Sequence, residues 1–312
     1  QSALTEEIEK SLKLQGKSKW QLQLFPLPPF NEIEELEILD FMVYEKPLVS
    51  VIIPVYNQFE YTYNCLKSIL YNTGSIEYEV IVADDSSTDD TIQLERVVKG
   101  VKILHNKKNV LFLRNCKQAA NHAKGKYLLF LNNDTQVQCN WMESLVCLLD
   151  QHSDIGMAGS KILSPDGMLQ EAGGIIWQDG TGANYGRGDS PDAPEYNYVK
   201  EVDYISGASI IVRKELWEEI GGFDERYAPA YCEDSDFSFE IRSHGRKVVY
   251  QPASEVVHFE GISNGTDLTE GIKRYQSVNT EKLRQKWQEV LKVEQLKKEE
   301  GTFAARERKC NR

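Results

Sequence analysis

The chain has 312 residues, 41% hydrophobic and 27% charged, with a formal net charge of -12. That is the composition of an ordinary globular protein with room for one large α/β domain or two smaller ones. The acidic balance argues against nonspecific nucleic-acid binding, and no apolar run approaches the roughly 18 residues of a membrane-spanning helix.

Six cysteines (65, 116, 139, 147, 232 and 310) show neither CxxC nor His-partner spacing. They suggest no zinc site or disulfide framework, and reduced thiols in a cytoplasmic chain are the simplest reading. Gln1 opens no signal-peptide pattern, and the missing initiator Met suggests either a trimmed chain or a piece of a longer, multidomain one.

Residues 1–46 read as a linker or docking arm. Glu6 to Gln23 suits an amphipathic helix, Phe25-Pro-Leu-Pro-Pro-Phe30 must be extended because proline lacks a donor, and Glu32 to Asp40 is acidic. From Pro47 the pattern alternates. Strands are predicted at Val49–Ile53, Glu79–Ala83, Val101–Leu104 and Tyr127–Leu131. Helices are predicted at Phe59–Tyr71, Thr91–Lys99 (capped by Asp89 or Asp90), Leu111–Ala123 and Trp141–Gln151. Such alternation implies right-handed βαβ crossovers and a parallel sheet.

After residue 155 the texture loosens. Gly156–Leu163 and Asp203–Val212 are strand-like and are joined by a long connection rich in Gly, Asp and Pro, the kind that is functional or mobile. Short helices at Lys214–Ile220 and Ser235–His244 stop at glycines. Strands follow at Lys247–Tyr250 and Glu255–Phe259, then a charged helical stretch from Glu270 to Lys298. Arg306, Arg308, Lys309 and Arg312 could touch an anionic membrane surface peripherally, on its inner face, although a solvated basic tail is the plainer reading.

Three acidic spots stand out. Tyr127-Leu-Leu-Phe-Leu131 is a strand with both faces covered, and it stops at Asn132-Asn133-Asp134. Ligands of open α/β sheets sit outside the carboxyl ends of the strands. A carboxylate there suits a hard divalent cation bridged to a diphosphate, or else simply an Asn/Asp turn. Asp84-Asp85 ends the second strand at the same rim, where a carboxylate can accept the ring N–H of a pyrimidine or cap a helix. Glu233-Asp234-Ser-Asp236 opens a helix, where acid is also favoured by the helix dipole.

Five motifs occur in order: Val49-Ser-Val-Ile-Ile-Pro-Val-Tyr-Asn57, Val82-Ala-Asp-Asp-Ser-Ser87, Phe130-Leu-Asn-Asn-Asp-Thr135, Gly221-Gly-Phe-Asp-Glu225 and Glu233-Asp-Ser-Asp-Phe237. Together they resemble a family 2 inverting glycosyltransferase with the GT-A fold, over about residues 47–265. The resemblance implies an α/β, Rossmann-like, mostly parallel sheet flanked by helices. A smaller mixed acceptor-side portion and C-terminal helices would complete it. The expected division is an arm at 1–46, a domain at 47–265 (nucleotide half 47–150, acceptor half 151–265) and a helical extension at 266–312.

The resemblance also implies roles. Pro54, Tyr56, Asn57 and Asp85 would hold the nucleobase side of a nucleotide-sugar donor, Tyr56 by stacking and Asp85 through the ring N–H. Arg114 and Asn133 would lie near the nucleotide, Arg114 being equally a surface residue of its helix. Asn132-Asn133-Asp134 matches the DxD metal motif with Asn for the first Asp, leaving Asp134 as the main protein ligand of Mn2+ or Mg2+. His258 is a candidate further ligand that would favour manganese. Gly207 matches a small position near the donor sugar, beside Asn132. Asp234 matches the general base, with Glu233 beside it as the other carboxylate able to serve.

The implied activity is inverting, metal-dependent hexosyl transfer to a glycan or glycoconjugate hydroxyl, as in surface polysaccharide or glycoprotein glycan synthesis. A UDP-sugar is the favoured donor and a dTDP-sugar the alternative. Two rivals remain: a non-catalytic sugar-binding or scaffolding module, and a sugar nucleotidyltransferase, which would want a Gly-rich phosphate loop where Pro54-Val-Tyr-Asn57 stands. Trp177 is expected to cover the acceptor. The segment from Gly173 to Pro194, or the one after His258, is expected to order on donor binding. Asn264-Gly-Thr266 fits a glycosylation sequon by chance.

Overall fold

A computed structural model describes residues 22–27, 29–262 and 272–307 of the chain. The predicted helix at 6–23 lies almost wholly outside them. So do the sequon, the segment 263–271 that follows the His258 loop, and Arg308, Lys309 and Arg312.

The first half is built as the alternation requires: β1 (Val49–Val55), α1 (Phe59–Asn72), β2 (Tyr78–Asp84), β3 (Lys102–His105), α2 (Phe112–Ala120) and β4 (Tyr127–Leu131). These four strands pair in parallel in the order β4-β1-β2-β3. Every residue of β1 and β4 is buried, which is why both read as unbroken apolar runs. Pro54 is tolerated in a central strand because β4 pairs only with Val49 to Ile52, so the missing N–H falls beyond that ladder. Truncating Leu129, in the middle of β4, is expected to cost about 2–5 kcal/mol through the cavity it leaves.

The second half comprises β5 (Thr135–Val137), α3 (Trp141–Gln151), β6 (Ile155–Leu163), β7 (Leu169–Glu171), β8 (Gly174–Ile176), β9 (Gly182–Asn184), β10 (Lys200–Glu201), β11 (Ser209–Arg213), α4 (Lys214–Ile220), α5 (Glu233–Ser243), β12 (Lys247–His258), α6 (Tyr275–Lys286), α7 (Gln288–Glu294) and α8 (Gly301–Glu307). Among the described residues one ten-stranded sheet runs β10-β12-β6-β11-β4-β1-β2-β3, with β5 on β12 and β7 on β6. β11 is antiparallel to both neighbours, β4 and β6, so this half of the sheet is mixed. No described helix is long and apolar enough to cross a membrane.

Four elements differ from the sequence expectation. The strand expected at Asp203–Val212 is confined to Ser209–Arg213. The helix expected at Thr91–Lys99 is a 3-10 turn over Asp90–Arg96, capped by Asp89, because Val98–Lys99 is drawn off to pair with Leu39–Asp40. The two strands expected around Pro252 are one strand, β12, with a register shift between Gln251 and Glu255 that absorbs the proline. The glycine-rich connection carries β7 to β10 and buries Ile175, Trp177, Tyr185 and Tyr196. Trp177 is thus a core residue rather than an exposed acceptor platform. Within the arm, Leu22, Leu24, Leu27, Ile33, Leu36, Leu39 and Phe41 are buried, and the Gln136 and Gln138 side chains bond the Phe25 and Gln23 amides at 2.7 and 2.8 Å.

Candidate functional site

A cleft of about 570 Å3 opens at the carboxyl ends of β1, β2 and β4. Pro54, Tyr56, Asp85, Asn132, Asn133, Asp134, Gly207, Glu233, Asp234 and His258 all line it. The topology explains the convergence. Parallel β1, β2 and β4 finish at one rim, and antiparallel β11 starts opposite Leu131. The Ser206–Gly207 turn before β11 is thereby carried to the place where Asn132 leaves β4. The Asn132 N–H donates to the Ala208 carbonyl at 3.1 Å.

Two expected residues stand elsewhere. Arg114 lies outside the cleft lining, its Nε 2.8 Å from Glu225 Oε2. Asn57, left-handed at φ 57, braces the rim from behind: its N–H donates to Ser87 Oγ at 2.7 Å and its side chain accepts from the Thr88 N–H at 2.8 Å.

On the nucleotide side, Tyr56 is 45% exposed, a free aromatic face beside Asp85. The Asp85 carboxylate is buried and heavily used. It accepts from the Val110 N–H at 2.8 Å, the Leu111 N–H at 2.7 Å and Asn106 Nδ2 at 2.9 Å. It therefore organises the 106–111 loop that feeds α2, and one of its four lone-pair positions is left for another donor.

In the middle of the cleft, β5 pairs antiparallel with β12 so that His258 faces Thr135. His258 Nε2 then lies 3.3 Å from Asp134 Oδ1. Burial pulls the imidazole pKa down, but the charge and hydrogen bond of Asp134, with Glu260 and Glu171 behind, lift it above the ordinary value. Among the described residues no cage of three or more His, Cys, Asp or Glu side chains forms. A carboxylate and an imidazole sharing one wall do suit a divalent cation that takes its remaining ligands from a diphosphate.

The third acidic spot opens α5. The Gly207 N–H donates to Asp234 Oδ2 at 3.0 Å, and the Ser235 N–H to Oδ1 at 2.6 Å. Burial raises the pKa of Asp234 while these amides hold it back. Glu233 is pushed well above the usual carboxylate range by burial and then by the Asp234 charge, and its Oε2 has no partner among the described residues. Asp234 is thus the carboxylate of the pair that is held by amide donors on both oxygens. Asp236 is spent on structure, accepting from Tyr227 Oη at 3.0 Å, Lys286 Nζ at 2.9 Å and Trp287 Nε1 at 2.7 Å. α6 clamps the turn before α5, the Asn279 amide donating to the Tyr227 and Ala230 carbonyls at 2.7 and 2.8 Å.

Sequence reasoning missed Glu171 and its neighbours. Glu171 is 2% exposed, accepts from the Ser206 N–H at 3.1 Å and lines the same cleft. Burial pushes its pKa up to about 7, with the Asp234 charge adding to the rise. The available signal was Glu171-Ala-Gly-Gly174. A Cβ on Gly174 would sit 2.0 Å from the Tyr204 ring, so a glycine there marks an aromatic ring packed directly on the backbone next to the cleft.

Residues 50–194 match the family model described as Glycosyl transferase family 2. O-antigen biosynthesis protein RfbC of Myxococcus xanthus is 29% identical over 234 residues, 71% of this chain and 18% of that protein. The uncharacterized protein y4gI of Sinorhizobium fredii is 27% identical over 236 residues, 72% of this chain and 26% of that protein. The chain thus spans about a quarter or less of the length of these curated relatives. A crystal structure of GalNAc-T7 with UDP, GalNAc and Mn2+ superposes with a TM-score of 0.62 at 16% identity, over 81% of this chain and 53% of that one. The architecture they share is the GT-A fold. The chain thus has the GT-A fold, and residues 50–194, a little under half of it, match glycosyl transferase family 2.

Proposed function

We propose that this glycosyltransferase moves a hexosyl group from a nucleoside diphosphate donor, a UDP-sugar first, to a glycan or glycoconjugate hydroxyl with inversion. The acceptor would belong to surface polysaccharide or glycoprotein glycan synthesis. The observation that carries the reading is the convergence of Asp85, Asp134 and Asp234 on one cleft. The name of the O-antigen relative and the UDP and Mn2+ bound by GalNAc-T7 support it.

In this reading Tyr56 stacks on the base and Asp85 accepts its ring N–H with the remaining lone pair. Asp134 and His258 hold Mn2+ or Mg2+, which when bound neutralises charge on the leaving diphosphate. Gly207 leaves room for the sugar, since its position carries no side chain. Asp234, steadied by the Gly207 and Ser235 amides, takes the proton of the acceptor hydroxyl as that oxygen attacks the anomeric carbon from the face opposite the diphosphate. The anomeric C–O bond breaks and its electron pair leaves on the diphosphate. Burial raises the proton affinity of Asp234 toward that task.

The test is nucleotide release from a panel of UDP-, dTDP- and GDP-sugars, with and without Mn2+, for wild type and Asp134→Ala. Metal-dependent release of the free diphosphate that the substitution removes is expected. Pyrophosphate formed from UTP and a sugar 1-phosphate, with no UDP released from any nucleotide sugar, would mean a nucleotidyltransferase, and no turnover in either assay would mean a binding module.

A further inference from the structure

A row of side chains links the glycine-rich connection to the candidate cation position. Arg187 and Glu260 form a bidentate pair, Nη1 to Oε2 at 2.9 Å and Nη2 to Oε1 at 3.1 Å. Glu260 Oε2 also accepts from Gln170 Nε2 at 3.3 Å. Gln170 Oε1 stands 2.8 Å from His258 Nδ1, and His258 Nε2 faces Asp134.

The chemistry fixes the direction of each link from Arg187 as far as His258 Nδ1. The forked Arg187 guanidinium donates to both Glu260 oxygens, so Glu260 stands in this row as an ion-paired carboxylate. An ionised carboxylate can only accept, so Gln170 must turn its NH2 toward Glu260. The Gln170 carbonyl oxygen then faces the imidazole and also can only accept, so the hydrogen sits on Nδ1. In the neutral ring the lone pair is therefore on Nε2, on the Asp134 side. The Arg187–Glu260 pair is half exposed, so its contribution to stability is small. What it supplies is orientation, because a forked guanidinium holds both carboxylate oxygens at once.

We propose that Gln170, held by Glu260 and Arg187, is a positioning residue that locks His258 in the tautomer presenting Nε2, next to Asp134, to a divalent cation. The inference rests on the reading of the site given above. It implies that part of the preference for Mn2+ over Mg2+ resides outside the ligands themselves, since the imidazole is the ligand that separates the two ions.

The experiment compares wild type, Gln170→Leu, Glu260→Gln, His258→Ala and Asp134→Ala. Mn2+ and Mg2+ affinities are measured by titration in the presence of UDP, and the His258 ring nitrogens are read by 15N NMR without metal, at a pH high enough that the ring is neutral. Gln170→Leu is expected to weaken Mn2+ about 10- to 100-fold, to affect Mg2+ much less, and to add nothing when combined with His258→Ala. Glu260→Gln, at a half-exposed position that does not threaten folding, is expected to populate the second tautomer because an amide facing Gln170 can donate as well as accept.

A wild-type Mn2+ affinity and a single Nδ1–H tautomer in both Gln170→Leu and Glu260→Gln would overturn the positioning role, provided Asp134→Ala still lowers metal affinity. If wild type took up no Mn2+ with UDP, or Asp134→Ala made no difference, the reading of the site would fail and take this proposal with it.

Discussion

Glu171 and Asp234 accept hydrogen bonds from consecutive amides, Ser206 N–H at 3.1 Å and Gly207 N–H at 3.0 Å. One peptide turn thus holds two carboxylates from distant parts of the chain side by side at the cleft. Neither has a basic side chain within hydrogen-bonding range among the contacts described, so both are expected to cost stability when ionised.

That cost has a pH signature. The folded pKa of Glu171, about 7, lies above the roughly 4.3 of an exposed glutamate. Folding therefore takes up a proton between those values, and stability falls as pH rises through the window. The upper limit for this one group is roughly 4 kcal/mol. Glu171→Gln should melt higher than wild type at pH 8, with an advantage that shrinks steadily toward pH 5. Calorimetric scans across that range check it, and an advantage that does not grow with pH would remove the burden assigned to Glu171.

Asp234→Asn keeps the shape of the site but cannot accept a proton. We expect turnover to drop by about a hundredfold or more, while UDP affinity measured calorimetrically stays within a fewfold of wild type. Retained turnover in this variant would transfer the base role to Glu233.

Asp85 and Tyr56 should separate cleanly. Replacing Asp85 by Asn turns an NH2 toward backbone donors that now point at a carboxylate oxygen. The variant should lose about 1–3 kcal/mol of stability as the 106–111 loop loosens, together with tenfold or more in UDP affinity. Tyr56→Ala removes only an exposed ring, so UDP affinity should fall with no change in the urea midpoint. Equal loss of stability in both would mean that the loop, not the base contact, explains the pair.

Gly207 is a test of space. A Cβ there would lie 3.8 Å from Asp234 Oδ2 and 3.9 Å from the Phe112 ring, ordinary contacts that the protein itself accepts. Gly207→Ala should fold with an unchanged melting temperature, bind UDP normally and lose affinity for the intact donor. A variant that handles the nucleotide-sugar like wild type would show that the sugar lies elsewhere in the cleft.

The sequence by itself determined the βαβ half and the three acidic spots. Tyr127–Leu131, Trp141–Gln151 and Lys214–Ile220 have the bounds that periodicity and punctuation predict. Apolar period is a local quantity, set by which faces of one element are covered, so one chain is enough to read it. Only the tertiary structure decided that β11 runs antiparallel beside β4, bringing Gly207 to Asn132, and that β5 pairs with β12, bringing His258 to Asp134. It alone turned Glu171 from an unremarkable acid after a short strand into a buried neighbour of Asp234, and Trp177 into core. Those facts depend on which strands pair and in what register. Register is fixed by packing between residues far apart in the chain, and the period of no single segment contains it.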